Sequence, residues 1–529
     1  MSAAAATKNI MMGVSQPISV AHPDANELES TKTLKETLKE FKSYEPIEET
    51  KQRIEVLREL NTLVKEWVLK VTLKKMPNQG GINLGGQLIP FGSYRLGVHS
   101  SGSDIDCLCI VPRHVTSDDF FSTFKSTLLH HPKVKDLQAV REASVPLLTM
   151  KFNGIEVDLL FARLDLPAIP DRLDLSDDTL LKNIDERSVR SLNGCRVAEQ
   201  ILKLVPDPVV FSEALRAVKL WAKARGVYSN ALGYFGGITW AILVARTCQL
   251  YPNATSSKIV HRMFFVFSTW NWPNAVTLNQ LDFGRTDLPE LRNLVWNPRD
   301  KYADRNHLMP VLTPSFPQQN STHNVNRSSA VILKAEMASG LETCRRISEG
   351  NAEWSELFKE VNFFTHYKHF LVVAMAAADE QHALDYSGFL ESRIRRLVQL
   401  LESNAAVKLV RINTRRYQPI GSAKLALKSE NTLRTIWIVG LEFANAAKLD
   451  LSREIAKFQK TIEQPESSVD TDILYVKRSE LYTVVPSADL RRGLAGSASN
   501  TTANRKRASP CDKENQGVPM NKKTCTENH

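Results

Sequence analysis

The chain has 529 residues, 43% of them hydrophobic and 24% charged, with a net charge of +10. That length is too great for one hydrophobic core and, at roughly 100 to 200 residues per domain, holds about three units of ordinary soluble composition. The basic balance leans toward a polyanionic partner, against the plainer reading of a merely soluble basic protein.

Residues 1–31 are Ala- and Ser-rich and lack the pattern of a secretory signal. From Glu27 to Leu73 apolar residues recur at three and four (Leu34, Leu38, Phe41, then Ile54 through Trp67), which predicts two helices broken at Pro46. The polar stretch Pro77 to Gly86 leads into Gln87 to Phe91, a short strand ending at the turn Gly92-Ser93. A Gly-Ser turn lets backbone N–H groups approach a phosphate. After a short loop come Asp104 and Asp106, one residue apart and so on one face of a strand. Around them stand Ile105, Leu108, Ile110 and Val111, with Cys107 and Cys109, and a carboxylate in such company needs a partner, most simply a cation. The seven cysteines form no CxxC pair, and Cys107 and Cys109 suit small buried hydrophobes in a reducing compartment better than disulfides or zinc ligands.

A helix is predicted over Asp118 to Leu129. Strands follow over Lys135 to Arg141, Val145 to Phe152 and Ile155 to Phe161, the last two joined by the hairpin turn Asn153-Gly154. Asp158 lies in the third, again among residues that favour burial. Helical patterns resume at Asp178: one helix opens at Ser188 and runs through Leu202, and another, capped by Ser212, covers Glu213 to Ala224 and ends at Gly226. The second carries Arg216, Lys219 and Lys223 off its apolar row. Gly226 to Ala245 has no formal charge over about 20 residues, enough to span a bilayer. Asn230, Gly233, Gly236, Gly237 and the nearby Pro252 make it instead a turn feeding a buried helix. The proline-punctuated Leu308 to Asn320 reads as a crossing loop.

After Gly350 the expected elements are strand (Tyr367 to Ala374), helix (Ser387 to Leu401), strand (Val407 to Ile412), strand (Thr435 to Glu442), helix (Leu449 to Ile462) and strand-like pieces at Asp472 to Val476 and Tyr482 to Val485. This is the order of a ferredoxin-like sheet, without the aromatic signature of RNA-binding sheets. Lys408, Arg411, Arg415, Arg416, Lys424 and Lys428 cluster on its middle, as an RNA contact or a solvated face. From Gly496 the composition is that of a disordered tail. Its basic clusters Asn504 to Arg507 and Asn521 to Lys523 fit nuclear import or loose nucleic-acid contact.

Three strand carboxylates on one face are what two hard divalent cations need, one to activate a hydroxyl and one to neutralise a leaving pyrophosphate. Lys219 would add charge opposite the triphosphate, and no GxxxxGK[ST] offers a P-loop. The spacing of Gly92-Ser93, Asp104-x-Asp106 and Asp158 resembles the polymerase-beta-like nucleotidyltransferase superfamily. Longer stretches resemble eukaryotic nuclear poly(A) polymerases over about Pro17 to Leu490. They include Phe91-Gly92-Ser93-Tyr94-Arg95-Leu96-Gly97-Val98-His99, Ser191-Leu192-Asn193-Gly194-Cys195-Arg196-Val197, Val218-Lys219-Leu220-Trp221-Ala222-Lys223 and Pro317-Gln318-Gln319-Asn320.

The resemblance implies an α+β multidomain fold: an N-terminal tail and helix packing on the central domain (1–50), a nucleotidyltransferase domain with a polymerase-beta-like mixed sheet (51–166), a mostly helical central domain (167–345), an RRM-like RNA-binding domain (346–495) and a basic tail (496–529). It implies transfer of AMP from ATP to RNA 3′ ends, with a uridylyl- or CCA-adding enzyme or an inactive RNA-binding scaffold as alternatives. By position, Asp104, Asp106 and Asp158 would be the catalytic metal ligands for two Mg2+ ions, which Mn2+ can replace, with Asp158 placed to help activate the 3′ hydroxyl. Phe91, Gly92 and Ser93 would line the nucleotide site, Ser93 and Lys219 meeting phosphates, Tyr228 the sugar and base, Asn193 the sugar, Gly237 and Ile238 the adenine, and Thr313 the base. It further implies 3′-end processing factors and poly(A)-binding protein as partners, a monomer, and a nuclear location. One departure is Ser101, where the family carries Lys, leaving one basic contact to phosphate or primer unaccounted for.

Overall fold

The computed structural model describes residues 13–77, 84–141, 143, 145–281, 287–420, 425, 427, 433–444, 450–463 and 469–491. The tail from 496 onward, with both its basic clusters, and Lys424 and Lys428 lie outside the described residues.

Helix α1 (Ala25–Glu40) starts where the Asp24 side chain accepts the Glu27 N–H at 2.8 Å, and Pro46 heads α2 (Ile47–Lys75) as the chain pattern predicts. The α2 stripe Val56, Leu60, Val64, Trp67, Val68 and Val71 buries against one face of a mixed five-stranded sheet. The sheet comprises β1 (Gln87–Pro90), β2 (Ile105–Val111), β3 (Val134–Val140), β4 (Leu147–Phe152) and β5 (Ile155–Arg163), in the order β1-β2-β5-β4-β3, with only β2 and β5 parallel. Asn153 and Gly154 both take positive φ, 49° and 84°, the geometry of the tight hairpin turn between β4 and β5. The helix expected over Asp118 to Leu129 forms in three pieces, the middle one, Phe120–Phe124, wound as a π-helix that buries Phe120, Phe121 and Phe124.

The other sheet face meets α3 (Glu186–Leu204), where Val189, Leu192 and Cys195 pack on Leu108, Ile110 and Ala162. Asp185, not Ser188, caps α3, because its Oδ1 accepts the Ser188 N–H at 2.9 Å. α4 (Pro208–Ala224) likewise begins before Ser212: Asp207 accepts the Val209 and Val210 N–H groups, and Pro208 fits the first turn, where no N–H is needed. α5 (Gly237–Leu250) is buried from Thr239 to Leu250, the buried helix that the uncharged run predicts. Among the described residues no helix is long and apolar enough to cross a membrane. α6 (Ser256–Ser268) and α7 (Arg327–Ser348) complete the helical layer. α1 lies against it through a Thr31–Ser257 hydroxyl pair at 2.8 Å and through Trp354, whose Nε1 donates to the Ser30 carbonyl.

The last unit runs β6 (His369–Ala377), α8 (Glu380–Glu402), β7 (Val407–Tyr417), β8 (Leu433–Phe443), α9 (Ser452–Ile462) and β9 (Asp470–Lys477). All pairs in the sheet β7-β8-β6-β9 are antiparallel, as the ferredoxin-like order requires. Tyr482 to Val485 is not a strand: Arg478–Thr483 forms a 3-10 turn, and Leu481, Val484 and Val485 cover the sheet instead of extending it. The described members of the basic cluster each have an acidic partner. Arg411 is buried and pairs with Glu336 at 2.9 Å, Arg415 with Glu360 and Arg416 with Glu391 at 2.5 Å each, and Lys408 with Glu442 at 3.4 Å. Glu336 also pairs with Arg225 at 2.7 Å, so this buried ion triad joins the end of α4, α7 and β7.

Candidate active site

Strand register brings the carboxylates together. On the parallel pair β2–β5, Asp106 stands directly opposite Asp158, and Asp104 precedes the first residue of β2. Ligand oxygens of Asp104, Asp106 and Asp158 lie within 4.8 Å of one another. Burial first, then the charges of Asp104 and Asp158, push the Asp106 carboxyl up to about 7. Burial, then Asp104 and Glu156, push Asp158 up to about 6. A set of hard oxygen donors that repel one another in this way suits a divalent cation, which removes the repulsion.

Beside them is a cavity of about 590 Å³ lined by Gly92, Ser93, Asp104, Asp106, Lys219, Tyr228, Gly237 and Ile238, so eight of the residues picked out in the sequence share one space. Gly92 has φ +60°, and a Cβ there would come 2.1 Å from Asp106 Oδ2, so this turn closes onto the carboxylate only with glycine. Gly237 is similarly constrained, since a Cβ would meet the Tyr228 hydroxyl at 2.6 Å. Burial, followed by Lys223 and Arg216, lowers the Lys219 ammonium to about 8. Burial and the carboxylates of Asp104 and Asp106 raise Tyr228 to about 12, so it keeps its proton and can donate.

Between the Gly-Ser turn and the carboxylates, residues 97–104 are held through their carbonyls. From α4, Arg216 donates to Gly97 O at 2.5 Å and His99 O at 2.7 Å, and Lys219 Nζ to Val98 O at 3.1 Å. From α2, the fully buried Arg53 donates to Ser103 O at 2.9 Å and Asp104 O at 3.3 Å while paired with Glu45 at 2.7 Å. Glu49 accepts the Ser101 hydroxyl at 2.6 Å and the Gly102 N–H at 2.7 Å. Ser101 thus ties the loop to α2.

Phe91, Asn193 and Thr313 do not line the cavity. The Phe91 N–H donates to Asp106 O at 2.9 Å, and its ring packs so closely on α3 that a Cβ at Gly194 would meet it at 2.7 Å. Asn193 Nδ2 reaches Gln319 at 3.5 Å, and its Oδ1 is buried with no partner among the described residues. Thr313 is buried, its hydroxyl accepting the Gln319 N–H at 2.9 Å. Lys223, read in the sequence only as part of the basic face of its helix, and Glu156, not picked out there, also line the cavity; Lys223 follows Lys219 by one helical turn and Glu156 precedes Asp158 by two on the same strand face, so both periodicities carried the signal.

Family models match along the chain: the poly(A) polymerase nucleotidyltransferase domain at 13–205, the poly(A) polymerase central domain at 210–360 and the poly(A) polymerase predicted RNA binding domain at 362–426. The poly(A) polymerase of Dictyostelium discoideum is 40% identical over 487 residues, covering 89% of this chain and 59% of that protein, so the chain spans less than two thirds of that relative's length. Poly(A) polymerase PAPa of Candida albicans is 44% identical over 403 residues, covering 76% and 72%, and PAPalpha of the same organism 45% identical over 400 residues, covering 75% and 71%. A solved structure of Cid1, described as an RNA terminal uridylyl transferase, aligns over 63% of this chain and 99% of that one with TM-score 0.45 and 14% identity, too remote a likeness to bear on nucleotide choice. Matched by all three domain models and by these relatives, the chain belongs to the poly(A) polymerase family.

Proposed function

We infer that this protein is a template-independent polynucleotide adenylyltransferase that adds AMP from ATP to the 3′ end of RNA. The observation that carries the reading is the convergence of Asp104, Asp106 and Asp158 within 4.8 Å beside a cavity that also presents Lys219 and Lys223. In the reaction the 3′ oxygen forms a bond to the α-phosphorus, the bond from that phosphorus to the bridging oxygen breaks, and pyrophosphate leaves. Two Mg2+ ions, held by the three aspartates, would supply the acidity for the hydroxyl and the charge for pyrophosphate. Asp158, opposite Asp106 on the paired strand, would help activate the 3′ hydroxyl. Ser93 and the backbone of its turn meet the triphosphate, Lys219 leaves Val98 O for the same phosphates, and Lys223 adds charge one turn along α4. Tyr228 donates toward sugar or base, and the start of α5 at Gly237 and Ile238 gives adenine a flat wall.

The same reading makes the protein a nuclear monomer of mRNA 3′-end formation. The basic tail clusters serve import, and processing factors and poly(A)-binding protein supply the RNA selectivity and length control. The deciding experiment is extension of oligo(A) with each nucleoside triphosphate separately in Mg2+. ATP should be used far better than the others, and equal use of UTP or CTP would remove the adenylyl assignment. Asp106→Ala should abolish extension while oligo(A) binding persists.

A further inference from the structure

The last turn of α7 carries a charge pattern that the nucleotide site does not use. It reads Arg345-Arg346-Ile347-Ser348, after which Glu349 ends the helix and Gly350, at φ +73°, turns the chain away. Two guanidiniums two and three residues ahead of a serine are what an Arg-directed protein kinase selects. Both are accessible: the Arg345 and Arg346 side chains are 60% and 44% exposed, and their partners, Glu342 at 3.4 Å and Glu356 at 3.2 Å, form surface pairs that open at little cost. The Ser348 hydroxyl donates only within its own turn, to Cys344 O at 3.0 Å and Arg345 O at 2.8 Å. The last fully buried side chain of α7 is Cys344, so residues 345–348 can unwind without opening the core.

Ser348 also lies at a sensitive place. It lines a groove of about 910 Å³ between α1, the start of α6 and the end of α7. Glu27, Glu29, Glu36 and Glu40 face that groove from α1, and Glu349 and Glu353 from beyond α7. Lys258 is the sole Lys or Arg in the lining, and it pairs with Glu27. Burial first, then Arg262, Lys258 and Arg345, pushes His261 down to about 4, so it adds no positive charge at neutral pH. In a chain of net charge +10 the groove is thus a local reversal of sign. A phosphate on Ser348 would add a charge of about −1.5 to −2 beside these carboxylates and at a helix C-terminus, the placement in which phosphorylation disrupts.

The element it would repel is α1. Glu36 and Glu40 have no basic partner among the described residues, and the polar ties of α1 across the groove are the Thr31–Ser257 hydroxyl pair at 2.8 Å, the Trp354 indole on Ser30 O at 3.0 Å and the Glu27–Lys258 pair. The chain leaving α1 runs straight to the catalytic loop. Ser43 O accepts from Arg216, the Tyr44 hydroxyl donates to Glu213 at 3.0 Å, and Glu45 holds Arg53, which donates to the Ser103 and Asp104 carbonyls.

We propose that Ser348 is a phosphorylation site for an Arg-directed protein kinase, and that its phosphate loosens α1 from the groove and slows catalysis through residues 43–45. In the transfer the Ser348 oxygen bonds to the γ-phosphorus of ATP, the bond from that phosphorus to the β,γ-bridging oxygen breaks, ADP leaves and the hydroxyl proton passes to the kinase. The effect on catalysis rests on the adenylyltransferase reading; the site does not.

The test uses the full chain with Ser509→Ala, because Lys506-Arg507-Ala508-Ser509 repeats the spacing in the tail. The chain is incubated with the catalytic subunit of cAMP-dependent protein kinase and ATP labelled on the γ-phosphate, which adenylyl transfer releases in pyrophosphate. Label should map to Ser348 by mass spectrometry and vanish in Ser348→Ala and in Arg345→Ala/Arg346→Ala. In the phosphorylated chain, amide hydrogen exchange over residues 25–40 should rise about 10-fold while β2 and β5 keep the unmodified rate, and Glu36→Lys/Glu40→Lys should cancel most of the rise. The kcat for oligo(A) extension should fall about 3-fold, a small displacement of Asp104 being enough. Absence of label at Ser348, full label with unchanged exchange over 25–40, an equal rise in β2 and β5, or an unchanged kcat overturns the proposal. A chain that takes the label and shows the exchange, yet unmodified never extends oligo(A) with ATP, overturns the adenylyltransferase reading and leaves the site standing.

Discussion

Arg53 offers the sharpest test of how the carboxylates are held. Its guanidinium is fully buried, donates through Nε and Nη2 to Glu45, and reaches the carbonyls of Ser103 and Asp104 immediately before β2. Arg53→Met removes the cation and strands the Glu45 carboxylate, whose side chain is 3% exposed. Breaking a buried pair from one side costs about 3–5 kcal/mol. Glu45 keeps the Thr50 hydroxyl at 2.9 Å and His99 at 3.2 Å, so the lower end, about 3 kcal/mol, applies. Adding Glu45→Leu removes the stranded charge and should recover most of that stability. It should not recover activity, because the two carbonyls that fix Asp104 still lack their donor, and misplacement of a reacting group by about 1 Å costs about 100-fold. Urea denaturation of wild type, Arg53→Met and the double variant, with extension of oligo(A) on each, separates the two effects. Equal destabilisation of single and double variants, or a double variant with full activity, refutes the reasoning.

The pH dependence of ATP use should report Lys219, lowered to about 8: the free enzyme loses that positive charge above pH 8, so kcat/KM for ATP should fall there, and Lys219→Arg should move the fall upward, as read from pH profiles at saturating primer. Asp106 and Asp158, raised to about 7 and about 6, retain protons between about pH 4 and 7 that the unfolded chain has released, so in chelator the stability they contribute falls as pH rises through that window. Mg2+ should therefore raise the Tm more at pH 8 than at pH 6, and Asp106→Asn should raise the Tm in chelator at pH 8 while abolishing the Mg2+ response. Gly92→Ala, which sets a Cβ 2.1 Å from Asp106 Oδ2 at φ +60°, should cut extension about 100-fold, with a local backbone cost of about 1–2 kcal/mol visible in denaturation. Wild-type rates in that variant would mean the turn can open without moving the carboxylate.

What the sequence revealed follows from which interactions leave a trace in side-chain identity. Asp104, Asp106 and Asp158 were legible because a carboxylate amid Ile, Leu and Val violates the burial pattern around it, and strand periodicity then says which way it points. The register that sets Asp106 opposite Asp158 was not legible, since a parallel pair far apart in sequence is fixed by packing on both faces of the sheet. Helix starts were misplaced where two capping candidates competed. Ser212 is a good cap in isolation, but Asp207 followed by Pro208 lets α4 begin earlier, and the Ser212 hydroxyl instead donates to Val209 O within the helix.

The basic cluster on β7 shows the opposite limit. Its composition suggested an RNA face, yet each cation found its carboxylate on another segment, Arg411 on α7 and Arg416 on α8, pairings with no local spacing to betray them. The loop 97–104 escaped for a related reason: Arg53, Arg216 and Lys219 grip it through backbone carbonyls, and every residue type carries the same carbonyl. A basic residue on a helix thus reads from sequence as a candidate for phosphate whether it ends on a phosphate, a carboxylate or a main-chain oxygen. The geometry sorts them. Arg53 and Arg216 are spent on the loop and the β7 cations on carboxylates, while Lys219 has only the Val98 carbonyl to leave. Lys219 and Lys223, which both line the cavity beside the carboxylates, are therefore the cations the adenylyltransferase reading sets against an incoming triphosphate.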